Sequence, residues 1–595
     1  VFKIDLPAEV GLDLLHERRN QHSAFEAHVR SPPATQARDD GVHLNRRKLT
    51  QISAAALLAG CAHDRDAGGD IILHGGPIYT GVTNAQRVEA VRIRGERIAF
   101  AGPLAEAASR GAGARLIDLK GAVAFPGFVD AHVHLGGVGL QAMVLDLVGT
   151  PSIADLQQRL AAYARAHAEG PIIGRGWIET HWPEHRFPDR GDLDGVVSDR
   201  PVYLVRADGH AAVANSAALA LAGISSATAN PDGGRIERDA SGAATGMLID
   251  NAKELVSAKL PAPTSAMKRE ALRQATRLYA SRGWVGGCNM STSGEEAEIF
   301  AALAASGDLP IHVDVYLTPE DSAPVLTHGP YADSTGRVHV RGIKLYMDGA
   351  LGSRGAALLA PYNDAPGDGL LVTPLDTMRD FMRRARIARC QVATHAIGDR
   401  GNRLTLDAYQ ATFADDLPAL KAARWRVEHA QILSPQDLPR FAQLGITASM
   451  QASHCISDMY FAPARLGEQR LVGAYAWNSL LRSGAVVAGG TDAPVEKGDP
   501  LIEFYAAFYR HSLDGFAAPD WHLEEAVTRE QALRMLTWAS AYSVFEENNR
   551  GTIEAGKRAD ISVFSADLMQ AQPAEIPAAH AVLTISGGRV VHDAL

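Results

Sequence analysis

Phe125-Pro126-Gly127-Phe128-Val129-Asp130-Ala131-His132-Val133-His134 is the stretch on which the fold turns. Alternate residues of a strand face the same side, so His132 and His134 can point together and grip one cation. Pro126 and Gly127 punctuate the chain just before this run, marking a joint between one region and the next. A lone His-x-His is not diagnostic. This one gains meaning from what lies on either side of it.

Upstream, Asp70–Leu73, Ala90–Arg94, Arg97–Ala101 and Arg115–Asp118 are short runs rich in Ile and Val, broken by Gly-containing turns. At the other end, Gly551–Lys557, Ala559–Phe564 and Ala581–Val591 have the same character, and Asp560-Ile561-Ser562-Val563-Phe564 alternates as a half-buried strand does. Two β-rich ends predict a small composite β-sandwich from residues 70–125 and 549–595. Between them, residues 126–548 alternate apolar runs with helix-like segments such as Ser265–Ser281 and Leu375–Ala388. The expected strands are Phe128–His132, Pro201–Val205, His312–Tyr316, Ile343–Tyr346, Val392–His395, Arg426–His429, Thr447–Met450 and Val486–Gly489. So many βα repeats predict an α/β fold with a (β/α)8 TIM barrel, not an open sheet. Residues 177–246, punctuated by Pro, Gly and Asp, resist a single βα reading and are expected to form an insertion.

Three more motifs fall where predicted strands end. Thr394-His395-Ala396-Ile397-Gly398-Asp399 follows one apolar run, Arg426-Val427-Glu428-His429-Ala430 ends another, and Val486–Gly490 leads into Thr491-Asp492-Ala493-Pro494. Each reads equally well as structure: a strand-end His is often merely hydrogen-bonded, and Gly-Thr-Asp makes a good turn or helix cap. Barrel active sites sit where strands give way to loops, and together the motifs converge there. Lys344, in Arg341-Gly342-Ile343-Lys344-Leu345-Tyr346-Met347-Asp348, is the fifth element. Facing inward among cations its amine would be held neutral, and a neutral amine can add carbon dioxide to become an anionic carbamate. The alternatives are a lysine that snorkels outward or pairs with Asp348.

At these residues the chain resembles the amidohydrolase superfamily, in which a His-x-His pair, a strand lysine, two later histidines and an aspartate occur in this order. The wording of FPGFVDAHVH, GIKLYMDGALGSRGA, THAIGDR, RVEHAQ and GGTDAPV is similar to the branch containing N-substituted formamide deformylase. The resemblance runs from about Asp70 to Val591. It implies one or two divalent metal ions of the zinc type, with His132, His134, His395, His429 and Asp492 as ligands or near-ligands and Lys344 as a carboxylated bridge. It also implies a metal-dependent hydrolase that cleaves an amide-type C–N bond (N-acyl, N-formyl or related) with metal-activated hydroxide. Asp492 and His429 would be catalytic, Asp492 as general base and then acid. Trp177, Trp182, His210, Tyr346, Arg354 and His454 are candidates for shaping a small-molecule pocket, core packing or ion pairing being the alternative for each aromatic and for Arg354. Deaminases of the superfamily lack the strand lysine and place Glu after the later His, so Lys344 and Asp399 lean away from heterocycle deamination. Ester, lactone or carbamate cleavage uses the same chemistry. A catalytically inert, lipid-anchored binding protein would be expected to have lost a ligand, and none is missing.

Composition excludes other classes. The chain has 595 residues, 46% hydrophobic and 21% charged, with a net charge of -10, and no basic surplus or nucleic-acid motif suggests a nucleic-acid partner. A homo-oligomer is compatible with this composition. Asn45-Arg46-Arg47-Lys48 precedes an apolar run, Ile52–Leu58, and then Ala59-Gly60-Cys61, the layout of an export signal with a lipobox-like end and a twin-arginine-like start. The run is too short for a membrane span, which needs roughly 20 apolar residues. Residues 1–61 are therefore expected to be an upstream extension and export signal outside the mature fold, the protein being exported to the periplasmic face and lipid-anchored at Cys61, the alternative being a cytoplasmic protein. The other cysteines, Cys288, Cys390 and Cys455, show no pairing pattern. Because such signals begin near the initiator, translation is expected to start at Val42, and mass spectra of the native protein should then lack every peptide from Val1 to Gly41.

Overall fold

A computed structural model of the chain describes residues 70–595, except 83–85, 180–181, 207–210, 232–233 and 519–520. The expected export signal, Cys61 and His210 lie outside the described residues. Eight parallel strands form the central sheet, in chain order: β1 (Phe128–Val133), β2 (Trp284–Thr292), β3 (His312–Leu317), β4 (Val338–Tyr346), β5 (Gln391–Ala396), β6 (Arg426–His429), β7 (Thr447–Met450) and β8 (Val487–Gly489). Each pairs in parallel with the next from β1 to β8. Their outward faces, rich in Val, Ile and Leu, pack into the core shared with the surrounding helices, while Cys288, Met290, Tyr316 and the Arg426–Glu428 pair are buried inside, as parallel strands covered on both faces require.

The seam between β1 and β8 closes just beyond their ends. The Asp492 amide donates to the His132 carbonyl at 2.7 Å, and the His134 amide donates to the Ala493 carbonyl at 2.9 Å. Asp130 reinforces the seam: Oδ1 accepts from the amides of His132 (3.0 Å) and Thr491 (2.9 Å), and Oδ2 from the hydroxyls of Thr491 (2.6 Å) and Tyr279 (3.1 Å). The expected TIM barrel is thus present, with one strand reassigned. Val202–Arg206 is not a barrel strand; the second barrel strand is Trp284–Thr292. Its central Gly286-Gly287 permits close approach of the neighbouring strands. A Cβ on Gly286 would meet His312 O at 3.2 Å, and one on Gly287 would meet Val133 Cγ1 at 3.1 Å.

Val202–Arg206 belongs to a six-stranded sheet inserted between β1 and β2, running from Leu145–Asp146 to Ala244–Asp250. This sheet begins upstream of residue 177. It has its own core, in which Trp177 and Trp182 pack with Leu145, Leu160 and Val202.

Both ends of the described chain build the second domain. One sheet holds Ile71–His74, Ala90–Arg94, Arg97–Gly102 and Arg115–Asp118. The other combines Ile78–Tyr79, Arg87–Val88 and Val123–Pro126 with Ile561–Phe564, Ala581–Ser586 and Arg589–Asp593. Val123–Pro126 runs antiparallel to Ile561–Phe564, so the two ends are hydrogen-bonded together. Ile71, Leu73, Val91 and Ile93 bury against Ile561, Val563, Leu583 and Ile585. The sandwich adjoins the barrel through the amide of Phe128, which donates to Ser562 Oγ, and through the contact of Phe128 with Phe564. Among the described residues no helix is long and apolar enough to cross a membrane.

Removing the Asp130 side chain strands buried donors on both sides of the seam, each costing about 1–3 kcal/mol. Asp130→Ala should lower unfolding free energy by several kcal/mol, on the order of 2–5, read as a lower urea midpoint; an unchanged midpoint would show that the seam does not need this acid.

Candidate active site

At the C-terminal mouth of the barrel, β1, β4, β5, β6 and the loop after β8 bring together His132, His134, Lys344, His395, His429 and Asp492. His132 and His134 are two residues apart, with ring centroids 5.4 Å from each other. The His429 ring lies 4.8 Å from that of His132 and 4.5 Å from that of His395. Neighbouring strand residues normally face opposite sides, yet Glu428 and His429 both serve this site. His429 manages it with φ 72°, and Asp492 likewise has φ 55°. Left-handed backbone at a non-glycine residue is costly, by about 1–3 kcal/mol, and clusters at functional sites.

Hydrogen bonds assign the protons on the rings. His132 Nδ1 donates to Glu428 Oε2 at 2.7 Å, and His134 Nδ1 to the Met290 carbonyl at 3.1 Å. His429 Nδ1 donates to Gln451 Oε1 at 2.8 Å, the amide being oriented by its own donation to Ser449 O at 3.3 Å. A carboxylate and a carbonyl only accept, so each Nδ1 carries a proton and Nε2 is the ring atom left to offer a lone pair. His132 Nε2 lies 3.4 Å from Asp492 Oδ1 and His134 Nε2 lies 3.1 Å from the same oxygen. Lone pair against lone pair repels unless a positive charge lies between them. Two ligands at 2.0–2.1 Å from a tetrahedral zinc-type ion stand about 3.3 Å apart, so the spacing and the N, N, O donor set fit a divalent cation. His132, His134 and Asp492 form this group, and His429 and His454 lie close to the same acid.

Burial dominates the electrostatics. It depresses the pKa of His132 to about 4 and of His395 to about 3, with Lys344 adding to both effects, and holds His429 well below the usual histidine value. Lys344 Nζ, buried, is lowered to about 8 by desolvation, has no hydrogen-bond partner among the described residues, and lies 5.2 Å from the Tyr346 ring centroid. It neither snorkels nor pairs with Asp348, whose carboxylate instead accepts from the amides of Ala357, Ile397 and Gly398 at 2.8–2.9 Å. Burial works against ionised Asp492, but the imidazoles around it, with His454 donating to Oδ2, hold its carboxyl well below the ordinary range. Burial likewise opposes the Glu428 carboxylate, and Arg426 wins, with Nε 2.8 Å from Glu428 Oε1. Both side chains are completely buried.

A family model described as the amidohydrolase family matches residues 115–592. The chain belongs to this family. This amidohydrolase is 34% identical over 535 residues to the YtcJ protein of Bacillus subtilis (strain 168), covering 88% of this chain and 99% of that one. It is 29% identical over 526 residues to N-substituted formamide deformylase of Arthrobacter pascens, covering 82% and 92%. Among solved structures, an uncharacterized metal-dependent hydrolase from Pyrococcus furiosus superposes with a TM-score of 0.70 at 30% identity, covering 84% of this chain and 100% of that one. Membership of the family makes this protein a hydrolase.

Of the expected pocket residues, Tyr346 and His454 are at the site. The Tyr346 ring is 5.4 Å from His395, with its hydroxyl on Ser291, and His454 Nε2 is 3.3 Å from Asp492 Oδ2. Trp177 and Trp182 are not pocket walls. Both are buried in the insertion's core, their Nε1 atoms donating to the carbonyls of Leu204 and Thr150. Arg354 forms a two-pronged ion pair with Asp364 at 3.1 and 3.0 Å on the outer surface, so its charge is already committed. Sequence reading passed over Glu428, Gln451 and Glu496. For Glu428 a signal was available: Arg426 and Glu428 share one face of a strand, and buried charges come paired.

Between pH 6.5, the ordinary histidine value, and about 4, an unfolded amidohydrolase protonates His132 while the folded one does not, and His395 and His429 behave alike. Stability is therefore lost as pH falls through this window. His454, raised by Asp492 and Glu496 against its burial, acts oppositely, its stabilisation being present below 6.5 and lost as pH rises through its folded value. In metal-stripped protein the ring-proton NMR resonances of His132, His395 and His429 should therefore hold their neutral positions from pH 7 down to 5, while His454 keeps its proton over the same range; a protonation shift of any of the three near pH 6.5 would contradict these assignments.

Proposed function

We infer that this protein hydrolyses an amide-type C–N bond of a small N-acyl, N-formyl or related compound at the barrel mouth. The observation that carries the reading is the pair of Nε2 lone pairs, on His132 and His134, facing one oxygen of Asp492 at tetrahedral-edge spacing. His132, His134 and Asp492 would hold a divalent cation, zinc by the chemistry of the donor set. His395 and His429 stand beside it, and Lys344 would join them as a carbamate once its neutral amine has added carbon dioxide. When bound, such a cation polarises a carbonyl and lowers the pKa of water from 15.7 toward roughly 7.

The chain's own residues do the rest. Glu428, itself held by Arg426, fixes the tautomer and orientation of His132, and Gln451 does the same for His429. Asp492, kept ionised, takes a proton from the attacking water as it adds to the carbonyl carbon. It then delivers that proton to the leaving nitrogen as the C–N bond breaks, so an acid and an amine depart. The name of the Arthrobacter pascens relative, N-substituted formamide deformylase, supports a C–N bond in an N-substituted amide as the target.

The test is a panel of N-formyl amines, N-acyl amines, esters and heterocycles offered to the zinc-loaded full chain. Asp492→Asn should melt like the wild type yet lose about 10²–10⁴-fold in turnover; near-normal turnover removes its role. Ammonia released from a heterocycle without an acid product would make the protein a deaminase. Bicarbonate should raise zinc uptake by the metal-stripped wild type and not by Lys344→Ala, and equal uptake would dismiss the carbamate.

A further inference from the structure

The two oxygens of Asp492 have different neighbours. Oδ1 faces His132 and His134, whereas Oδ2 lies 3.3 Å from Nε2 of His454. His454 is buried on the helix Ala452–Asp458, directly after β7. Its Nδ1 is 3.2 Å from Glu496 Oε1, and Ser457, one turn along the same helix, donates its hydroxyl to that oxygen at 2.6 Å. Asp492 and Glu496 leave one loop four residues apart. A single loop thus grips opposite edges of one imidazole that is carried by a different element.

We propose that His454 is a positioning residue: by pinning Oδ2 it keeps Oδ1 of Asp492 turned to the His132 and His134 pair and leaves Oδ2 as the oxygen that exchanges the proton. The end torsion of an aspartate is broad and roughly two-fold, so nothing intrinsic distinguishes its oxygens. One N–H donor on one side breaks that symmetry. Among the described residues His454 is the side chain that donates to Oδ2. Since Glu496 and Ser457 fix the far edge of the ring, the donor is held in place before any substrate arrives. His134 has no such latitude, its Nδ1 being tied to Met290. Reaching the correct oxygen therefore falls to Asp492, and through it to His454.

The inference rests on the hydrolytic reading, and its test separates the two without needing a substrate. The metal-stripped full chain is titrated with cobalt(II) against a chelating indicator, for wild type, H454N and H454Q. The glutamine amide is long enough to donate to Oδ2 and the asparagine amide is not. H454N should keep the wild-type number of cobalt ions per chain but bind them about 10–100-fold more weakly, with altered visible absorption as Asp492 turns. H454Q should recover most of that affinity, and H454A should follow H454N. Wild-type affinity in H454N, loss of a whole ion (which would make His454 a ligand), or equal weakening in H454Q each overturns the proposal. A wild-type chain that binds no cobalt at all overturns the hydrolytic reading together with it.

Discussion

The carboxylate of Asp130 ties the first barrel strand to the last. Its two oxygens accept four donors: two from the backbone of the first and last barrel strands and their extensions, and two from hydroxyls. A barrel is a sheet closed on itself, and only closure brings residue 132 beside residue 492. Two of the donors, the amides of His132 and Thr491, belong to or adjoin the residues that meet at the site. The interaction that seals the fold also sets the distance between an imidazole and the acid it must share. Burial raises the pKa of Asp130 to about 6, the cost of placing an acid where water cannot reach.

Above that seam, the chemistry follows from desolvation. Imidazoles that would take protons in water are denied them by burial, and burial loosens the proton on the Lys344 amine beside them. An arrangement of this kind is unfavourable alone and favourable around a cation, which links folding, metal uptake and pH. One fully buried ion pair, Arg426 with Glu428, is the fixed element against which His132 is oriented. Such a pair stabilises little by itself, but removing either partner would leave an uncompensated charge in the barrel interior. The left-handed backbone at His429 and Asp492 belongs to the same economy, with local strain held in place by a rigid barrel.

The six-stranded insertion shows how residue type alone misleads. Trp177 and Trp182 are large, amphipathic and close to Pro-Gly-Asp punctuation, which suits a pocket wall, yet the same properties suit a small core that needs big side chains. Both indole N–H groups are satisfied by backbone carbonyls inside the insertion, and that local satisfaction marks them as structural. Arg354 makes the same point at the surface: its planar fork is filled by Asp364 ten residues on.

Much of the site was legible before any coordinates. Period-two alternation places His132 and His134 on one face, and the strand-end positions of His395, His429 and Asp492 predict convergence, because parallel strands closing into a barrel put all their C-terminal ends together. The β-rich ends and the βα repeats are local patterns, carried by neighbouring residues, and so they can be read along the chain. What the tertiary structure alone decided is long-range: that Trp284–Thr292 and not Val202–Arg206 is the second strand, that Asp130 seals the seam, that Glu428, Gln451 and Glu496 hold the rings, and that the oxygens of Asp492 are inequivalent. Each of those depends on contacts between residues far apart in sequence, or on space that glycine leaves open for a distant side chain. No periodicity encodes such contacts, since packing and desolvation are properties of the assembled interior.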